Sequence, residues 1–272
     1  MNARGKLIDL SSPKVMGILN VTPDSFYDGG RHHAVPDAVA QAERLLNEGA
    51  DIIDLGAYSS RPGAADVSPD EETGRLLPVI EAITSRFPEA VLSIDTFRAS
   101  VARATIAAGA HIINDISGGT LDSRMFATVA ELQVPYILMH MRGTPDTMQQ
   151  LTDYPDNDVT RAVNLFFGRQ VAALRQLGVR DIILDPGFGF AKTLAQNYEL
   201  LHRLETFHQH GLPILGGISR KSMIYKKLGI SAEEALNGTT VLNTVLLMKG
   251  VHILRVHDVR AAREAITLLR EP

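Results

Sequence analysis

Residues 181–192 read Asp-Ile-Ile-Leu-Asp-Pro-Gly-Phe-Gly-Phe-Ala-Lys, and this stretch indicates the fold of the whole chain. The continuous apolar run at 182–184 is typical of a strand that is buried on both faces of a parallel sheet. The strand ends at Asp185, because Pro186 and Gly187 begin a loop. A carboxylate at the end of a buried strand is costly unless something binds it. Asp185 therefore either accepts hydrogen bonds from its own turn or contacts a ligand.

The length and composition of the chain are those of an ordinary globular protein. It has 272 residues, 45% of them apolar and 21% charged, and its formal net charge of -4 gives no reason to expect a nucleic-acid partner. The absence of cysteine excludes disulfides, thiol nucleophiles and thiolate metal sites. The N-terminus lacks the apolar core of a signal peptide, and no apolar run is long enough to span a membrane. We therefore expect a cytoplasmic enzyme or binding protein that forms a single domain.

Short apolar strands alternate with helical segments along the whole chain. Strands are predicted at 15–19, 51–55, 91–94, 112–113, 136–139, 182–184, 213–218 and 251–256. Helices are predicted at 36–47, 98–108, 159–177, 197–207 and 231–249. Three further helices are predicted with one end each: one begins at 68, one ends at 132 and one begins at 258. Strict alternation implies parallel strands, and eight such units in this length imply a closed (β/α)8 barrel with its active site at the carboxyl ends of the strands. A doubly wound open sheet is the alternative, but no Gly-x-Gly-x-x-Gly follows the first strand.

Polar residues stand at or just after the end of nearly every predicted strand. They are, in chain order, Asn20, Asp54, Asp95, Asn114, His140, Asp185, Ser219 to Lys221, and Arg255 with His257. In a barrel these residues converge on one mouth. Asp54 and His140 are the two that a structural role alone explains best. A mouth filled only with structural polar groups, however, would destabilise the fold with nothing gained, so the pattern predicts a ligand site.

The predicted mouth has two chemical halves. One half suits a flat polar heterocycle, because a carboxylate accepts from ring N–H groups, and it comprises Asp95, Asn114, Asp185 and Lys221. The other half suits phosphate oxygens and Mg²⁺, and it comprises Asn20, Arg61, Arg255 and His257. The set lacks the three-His or Cys/His ligands of a catalytic zinc site. The expected ligand is therefore a polar ring joined to a phosphate-bearing arm.

Two long loops flank the predicted mouth. Residues 21–30 carry Phe26 and Tyr27, and residues 56–63 carry Arg61 near the tip. Aromatic side chains in an exposed loop favour a loop that closes over a ligand. The alternative is that these aromatics only attach the first loop to its own barrel.

Seven motifs along the chain resemble those of the dihydropteroate synthase family. They read Met-Gly-Ile-Leu-Asn-Val-Thr-Pro-Asp-Ser-Phe at 16–26, Ser-Ser-Arg-Pro-Gly at 59–63, Ser-Ile-Asp-Thr at 93–96, Ile-Asn-Asp-Ile at 113–116, Asp-Pro-Gly-Phe-Gly-Phe-Ala-Lys at 185–192, Ser-Arg-Lys at 219–221 and Arg-Val-His at 255–257. The resemblance covers essentially the whole chain. It implies a (β/α)8 barrel, typically a homodimer, that condenses 6-hydroxymethyl-7,8-dihydropterin diphosphate with 4-aminobenzoate. The products would be dihydropteroate and diphosphate, on the folate pathway.

The resemblance also implies a role for each matching residue. The pterin would be held by Asp95, Asn114, Asp185 and Lys221, with Ile116 and Met139 lining the pocket and Arg255 stacked nearby. The diphosphate would be bound by Asn20, Arg61, Arg255 and His257, with Asn20 as a ligand of Mg²⁺. The 4-aminobenzoate site, where sulfonamides compete in this family, would be formed by Ser60, Arg61, Pro62, Phe190 and Lys221. Asp95, Lys221 and Arg61 would be the catalytic residues, and Lys192 has no assigned role.

The implied chemistry needs no strong base. Diphosphate would leave first, Asp95 would stabilise the resulting positive charge on the pterin, and the neutral arylamine would attack. This agrees with the lack of an obvious pair of nucleophile and base in the sequence. One departure from the family is that Ala57 and Tyr58 replace a common Gly-Glu pair and Ser60 replaces a Thr, which leaves the geometry of the second loop open.

Two other functions stay open at this point. A pterin-dependent corrinoid methyltransferase uses a related barrel and a similar pterin pocket, but it would not need Arg61 or the paired Arg255 and His257 for a diphosphate. A non-catalytic pterin-binding protein would have no need to retain these cationic residues together with Asn20 and Lys221.

Overall fold

The computed structural model describes residues 1–21, 31–58 and 67–269, and the side chains in these ranges except those of residues 31–34. Within them, eight parallel strands form the predicted barrel: β1 (Lys14–Asn20), β2 (Ile52–Gly56), β3 (Leu92–Asp95), β4 (Ile112–Asp115), β5 (Tyr136–Met139), β6 (Ile182–Asp185), β7 (Leu215–Gly216) and β8 (Ile253–Val256). The strands neighbour one another in the order β6-β5-β4-β3-β2-β1-β8-β7, and a bridge between Leu184 and Ile214 joins the two ends of the sheet. The (β/α)8 barrel is therefore confirmed.

Helices cover the outside of the barrel. They are α1 (Arg31–Asn47), α2 (Pro69–Arg86), α3 (Ala99–Ala107), α4 (Met125–Leu132), α5 (Val159–Gln176), α6 (Leu194–His202), α7 (Ser222–Leu228), α8 (Leu236–Met248) and α9 (Val259–Leu269). In the described part of the chain, none of them is both long and apolar enough to cross a membrane.

Several elements differ from the sequence prediction. The helix predicted at 36–47 begins earlier, at Arg31, and the helix predicted at 231–249 begins later, at Leu236. The helix predicted at 197–207 begins earlier, at Leu194, because Thr193 and Gln196 form a complete capping box, and a separate 3-10 helix follows it at Leu204–His210. The strand predicted at 213–218 shortens to Leu215–Gly216, and the short helix α7 was not expected.

The apolar run of β6 is buried on both faces, as its sequence predicts. Ile182 and Leu184 pack in the layer between strands and helices. Ile183 faces the inside of the barrel, where it belongs to a separate apolar layer with Met16, Ile52, Val91, Ile112, Ile137, Leu215 and Ile253. Alternating side chains therefore serve two cores, which is why no polar residue interrupts the strand.

A short N-terminal hairpin closes the bottom of the barrel, which the sequence did not predict. Asn2–Ala3 pairs antiparallel with Lys6–Leu7, and Ala3 is fully buried against the inner apolar layer. Arg4 donates to two carbonyl oxygens at the C-terminal end of α3, those of Ile106 at 2.7 Å and Ala110 at 3.2 Å. The hairpin covers the end of the barrel opposite the carboxyl ends of the strands.

Asp122 and Asp258, which precede α4 and α9, bind other elements of the barrel. The Asp122 carboxylate accepts from the backbone N–H of Ala99 at 2.9 Å, so it caps α3 rather than α4. The Asp258 carboxylate binds the guanidinium of Arg220 through two hydrogen bonds of 2.8 Å rather than capping α9. Asp258 thus binds a partner that is distant in the sequence, whereas Asp122 accepts both from Ala99 and from the local backbone N–H of Arg124 at 3.0 Å.

The two-sided burial of β6 generates a stability prediction. Ile183→Ala and Leu184→Ala should each lower the free energy of unfolding by about 2–5 kcal/mol, because each leaves a cavity in a different core. Leu177→Ala, at a side chain that is 49% exposed, should cost less than about 1 kcal/mol. Urea titrations followed by circular dichroism would measure all three variants. A small effect at Ile183 alone would show that the inside of the barrel is not a packed core.

Candidate active site

One ion-pair network joins the carboxyl ends of β2, β3, β4 and β8. Arg255 donates through Nε to Asp54 Oδ2 at 2.6 Å and through Nη2 to Asp95 Oδ2 at 2.8 Å. Asn114 donates through Nδ2 to the same Asp54 oxygen at 3.0 Å. The Asp54 side chain is fully buried, whereas 22% of the Asp95 side chain and 19% of the Arg255 side chain are exposed. The barrel therefore brings together Asp95, Asn114 and Arg255 at one mouth.

Asp54 is the support of this network, a role that the sequence left open. Its Oδ2 accepts from both Arg255 and Asn114, while its Oδ1 has no hydrogen-bond partner among the described residues. Because Asn114 gives its N–H to Asp54, the amide oxygen of Asn114 is turned away from Asp54. A carboxylate inside the apolar run Ile-Ile-Asp-Leu at 52–55 is the signal that points to this buried role.

Asp185 satisfies both interpretations of its place at the end of β6. Its Oδ1 accepts from the backbone N–H of Gly187 at 2.8 Å, which is the bond within its own turn. Its Oδ2 lies 4.0 Å from the point where a Cβ on Gly217 would stand, so it faces the adjacent strand end near Arg255. One oxygen therefore holds the loop, and the other is directed toward the mouth.

Burial shifts the acidity of the groups in the mouth. Loss of hydration raises the pKa of Asp95 to about 7, although the charge of Arg255 opposes this, and the negative charge of Asp54 raises it further. Burial also raises the pKa of Asp185, against the opposing charge of Lys221. Burial lowers the pKa of Lys221 to about 8, against the opposing charge of Asp185. Groups that titrate near neutral pH are frequent at functional sites.

Lys221 and Phe190 lie side by side at the mouth. The Lys221 ammonium donates to the carbonyl oxygen of Phe188 at 2.5 Å and lies 4.6 Å from the centre of the Phe190 ring. A cation over an aromatic face is attracted by the ring quadrupole. These two residues form a surface with a charged part and an apolar part, which suits an aromatic acid.

An apolar cluster forms another wall of the site. Ile116 and Met139 are buried there, and the cluster also contains Met141, Met148 and Ala191, with Phe97, Leu121 and Phe190 packed against it. The sequence predicted Ile116, Met139 and Phe190. It missed the loop residues Met141 and Met148, whose only signal is that apolar side chains recur in a polar loop after β5.

The half of the mouth that the sequence predicts to bind phosphate contains Asn20 and His257. Asn20 is exposed at the end of β1, and its Oδ1 lies 3.7 Å from the point where a Cβ on Gly56 would stand, beside Asp95. His257 binds Ser219, whose Oγ lies 3.0 Å from Nδ1 and also accepts from the His257 backbone N–H at 3.1 Å. Desolvation and the charge of Arg255 lower the pKa of His257, so its imidazole is neutral at pH 7 before an anion binds.

The side chains near Asn20 fit a magnesium ion that takes most of its ligands from a substrate. Among the described residues, no three His, Asp or Glu side chains are grouped as a metal site would require. The Asn20 amide oxygen is a hard, neutral ligand, and Mg²⁺ usually keeps several waters and binds substrate phosphates. Asn20 therefore suits a Mg²⁺ that arrives with a diphosphate.

The loop residues Ser60, Arg61 and Pro62 lie outside the described residues, as does most of the first loop. The departure at Ala57 and Tyr58 falls inside them. The Tyr58 ring packs edge-on against Phe97 at 5.2 Å, and the Arg98 guanidinium lies 5.2 Å from the centre of the Tyr58 ring and 4.7 Å from that of Phe97. Tyr58 therefore takes part in packing at the base of the second loop.

Comparison with known proteins agrees with this site. A family model described as pterin binding enzyme matches residues 16–257. The dihydropteroate synthase of Escherichia coli strain K12 is 48% identical over 269 residues, which cover 98% of this chain and 94% of that protein. The crystal structure of Yersinia pestis dihydropteroate synthase in a sulfonamide drug complex superposes with a TM-score of 0.91 at 43% identity, over 98% of this chain and 97% of that one.

A second solved relative carries a reaction product. Xanthomonas albilineans dihydropteroate synthase in complex with 7,8-dihydropteroate superposes with a TM-score of 0.88 at 38% identity, over 98% of this chain and 96% of that one. Family model, sequence and fold thus agree over nearly the whole length. The chain belongs to the dihydropteroate synthase family of pterin-binding enzymes.

Proposed function

We propose that this protein condenses 6-hydroxymethyl-7,8-dihydropterin diphosphate with 4-aminobenzoate to give 7,8-dihydropteroate and diphosphate. The observation that carries the proposal is the single mouth in which Asp95, Asn114 and Arg255 share one network beside Asp185 and Lys221. Membership of the dihydropteroate synthase family supports the same reaction. A corrinoid methyltransferase has no comparable support, because the full-length relatives are named dihydropteroate synthase.

The pterin half uses donors and acceptors whose directions are already set. The Asn114 amide oxygen is turned away from Asp54 and accepts from a ring N–H, and the free Oδ2 of Asp185 accepts from another. Lys221 donates to ring acceptors, Ile116 and Met139 pack against the ring, and Arg255 stacks on it. These side chains need little reordering on binding, since buried partners hold them in place.

The diphosphate half is cationic. Arg255, with Arg61 and His257, would bind the phosphate oxygens, and Asn20 would hold a Mg²⁺ together with those oxygens and water. When bound, the cation neutralises charge that develops on the leaving diphosphate. The neutral imidazole of His257 donates a hydrogen bond to the anion or takes up a proton beside it.

Cleavage of the bond between the pterin methylene and the diphosphate oxygen sends the electron pair to diphosphate and leaves a positive charge on the pterin. The ionised Asp95 carboxylate stabilises that charge at short range in a partly buried site. The nitrogen of 4-aminobenzoate then attacks the methylene and loses a proton to water. Lys221 and Phe190, with Ser60, Arg61 and Pro62, would hold the second substrate, and loop closure would exclude competing water.

The direct test is an assay with purified protein. Magnesium-dependent formation of 7,8-dihydropteroate and release of diphosphate are expected, followed by chromatography and a phosphate-coupled assay. Addition of EDTA should stop the reaction and added Mg²⁺ should restore it, because the leaving group requires charge neutralisation. Folded protein that binds the pterin substrate without forming product would identify a non-catalytic pterin-binding protein instead.

A pH profile tests the role of Asp95. Its pKa in the ligand-free protein is raised to about 7, so the carboxylate is protonated below that pH and kcat/KM should fall as the pH decreases through about 7. Asp54→Asn removes a negative charge that raises this pKa, so the acidic limb should move to lower pH. Asp158→Asn, at the start of α5, is the matched control and should leave the limb in place. If the acidic limb of the Asp54→Asn profile stayed at the wild-type pH, the limb would not report the ionisation of Asp95.

We also propose that the protein is a cytoplasmic homodimer. The absence of cysteine is consistent with a reducing compartment. Helix α8 supports a dimer, because Val241 and Met248, one heptad apart and thus on one face, are 53% and 75% exposed. Two exposed apolar side chains on one helix face are consistent with a protein interface.

Sedimentation equilibrium tests the dimer. The wild-type protein should have twice the chain mass of 29.6 kDa, and the double variant Val241→Glu with Met248→Glu should sediment as a monomer. Leu177→Glu, at an exposed leucine after α5, is the control and should remain dimeric. A monomeric wild-type protein would exclude the proposal.

A further inference from the structure

Lys192 is a buried basic residue that the proposed mechanism does not use. The residue is 4% exposed, and no acidic side chain among the described residues accepts a hydrogen bond from its Nζ. Instead Nζ lies 2.8 Å from the Phe190 carbonyl oxygen, 2.9 Å from that of Gly187, 3.0 Å from His140 Nδ1 and 3.3 Å from the His140 carbonyl oxygen. Burial of an ammonium without a paired carboxylate is costly, so the site must use its hydrogen bonds.

Two of the acceptors of Lys192, the carbonyl oxygens of Gly187 and Phe190, belong to one loop. Residues 186–191 follow β6 and contain three residues with positive φ, Gly187 at 69°, Gly189 at 84° and Ala191 at 52°. Ala191 adopts this conformation without being glycine, which is uncommon and requires support from its surroundings. A loop so folded directs several carbonyl oxygens inward, and each must find a donor.

Two lysines supply donors on opposite sides of this loop. Lys192 binds the carbonyl oxygens of Gly187 and Phe190 from the protein interior. Lys221 binds the carbonyl oxygen of Phe188 from the mouth, and its Cδ lies 3.3 Å from the point where a Cβ on Gly189 would stand. The position of Lys221 and of the Phe190 ring beside it therefore depends on where Lys192 holds the loop.

His140 completes the support. Its ring packs edge-on against Phe166 at 5.0 Å and lies 6.1 Å from the Tyr154 ring, whose hydroxyl donates to the Ala191 carbonyl oxygen at 2.9 Å. Burial lowers the pKa of His140, as does the neighbouring Lys192 charge, so its imidazole is neutral and Nδ1 accepts from the lysine. Burial lowers the pKa of Lys192 well below its usual value, against the opposing charge of Asp185, and its Nζ is held by His140 Nδ1 and by the carbonyl oxygens of Gly187 and Phe190.

We propose that Lys192, supported by His140, is a positioning residue for the second substrate: it holds the 187–190 loop so that Lys221 and Phe190 present the 4-aminobenzoate surface. The inference rests on the proposed function, because it concerns one half of that site. The pterin half should depend on it less, since Asp95, Asn114 and Asp185 belong to strands of the barrel and only Lys221 is shared between the two halves. Loss of Lys192 should therefore raise the KM for 4-aminobenzoate more than the KM for the pterin diphosphate.

Steady-state kinetics of Lys192→Met test this separation. With each substrate varied against saturating amounts of the other, the KM for 4-aminobenzoate should rise about tenfold or more, since buried carbonyls lose their donor. The KM for the pterin diphosphate should change by less than about threefold. Lys226→Met, which removes an exposed lysine of α7, is the matched control and should behave as the wild type.

A pair of variants at His140 keeps the test decisive if Lys192→Met does not fold. His140→Leu removes the acceptor and should raise the KM for 4-aminobenzoate, whereas His140→Asn retains an acceptor near the position of Nδ1 and should restore most of the loss. Folded variants with unchanged KM for 4-aminobenzoate, or an equal rise for both substrates, would overturn the positioning role while the wild-type activity stands. A wild-type protein without turnover would overturn the proposed function and this inference together.

Discussion

The contact of Arg255 with Asp54 and Asp95 is the constraint on which the rest of the site depends. The mouth contains three carboxylates and two basic side chains, namely Asp54, Asp95, Asp185, Arg255 and Lys221. Because the surroundings are apolar, each unpaired charge would be costly. The fully buried Asp54 fixes the plane of the guanidinium and the direction of the Asn114 amide. Burial raises the pKa of Asp95 to about 7, and the negative charge of Asp54 adds to this effect while the charge of Arg255 opposes it. A cationic transition state is the kind of species that such a site stabilises.

The loop after β6 connects this mouth to the barrel interior. Its carbonyl oxygens are bound by one lysine from within and one from the site, so that Lys192 and Lys221 are coupled through the backbone between them. Both depend on burial that only a closed barrel provides. The N-terminal hairpin at the bottom of the barrel and the alternating packing of β6 also support the mouth, because they hold the strand that carries Asp185 in place.

The departure at Ala57 and Tyr58 is accommodated by packing. Tyr58 contacts Phe97, and Arg98 lies against both rings while it binds the buried Glu72 of α2. The start of the second loop is thereby attached to α2 and to the segment after Asp95. This attachment explains how Tyr58 fits where many family members carry a Gly-Glu pair before the same Arg-Pro-Gly motif.

The sequence by itself determined the barrel and the set of residues at its mouth. Alternation of apolar runs and helical segments permits few arrangements, and the carboxyl ends of parallel strands must meet, so Asp95, Asn114, Asp185 and Arg255 were predictable. Contacts between residues that are distant from each other along the chain were not predictable. Asp54 as a support, Asp122 as a cap for α3, Asp258 as the partner of Arg220, and Lys192 beneath the 187–190 loop follow from contacts across tens of residues or more. A lone polar residue in a sequence shows that it needs a partner, but only the tertiary structure decides which buried group supplies it, because desolvation makes that choice in three dimensions.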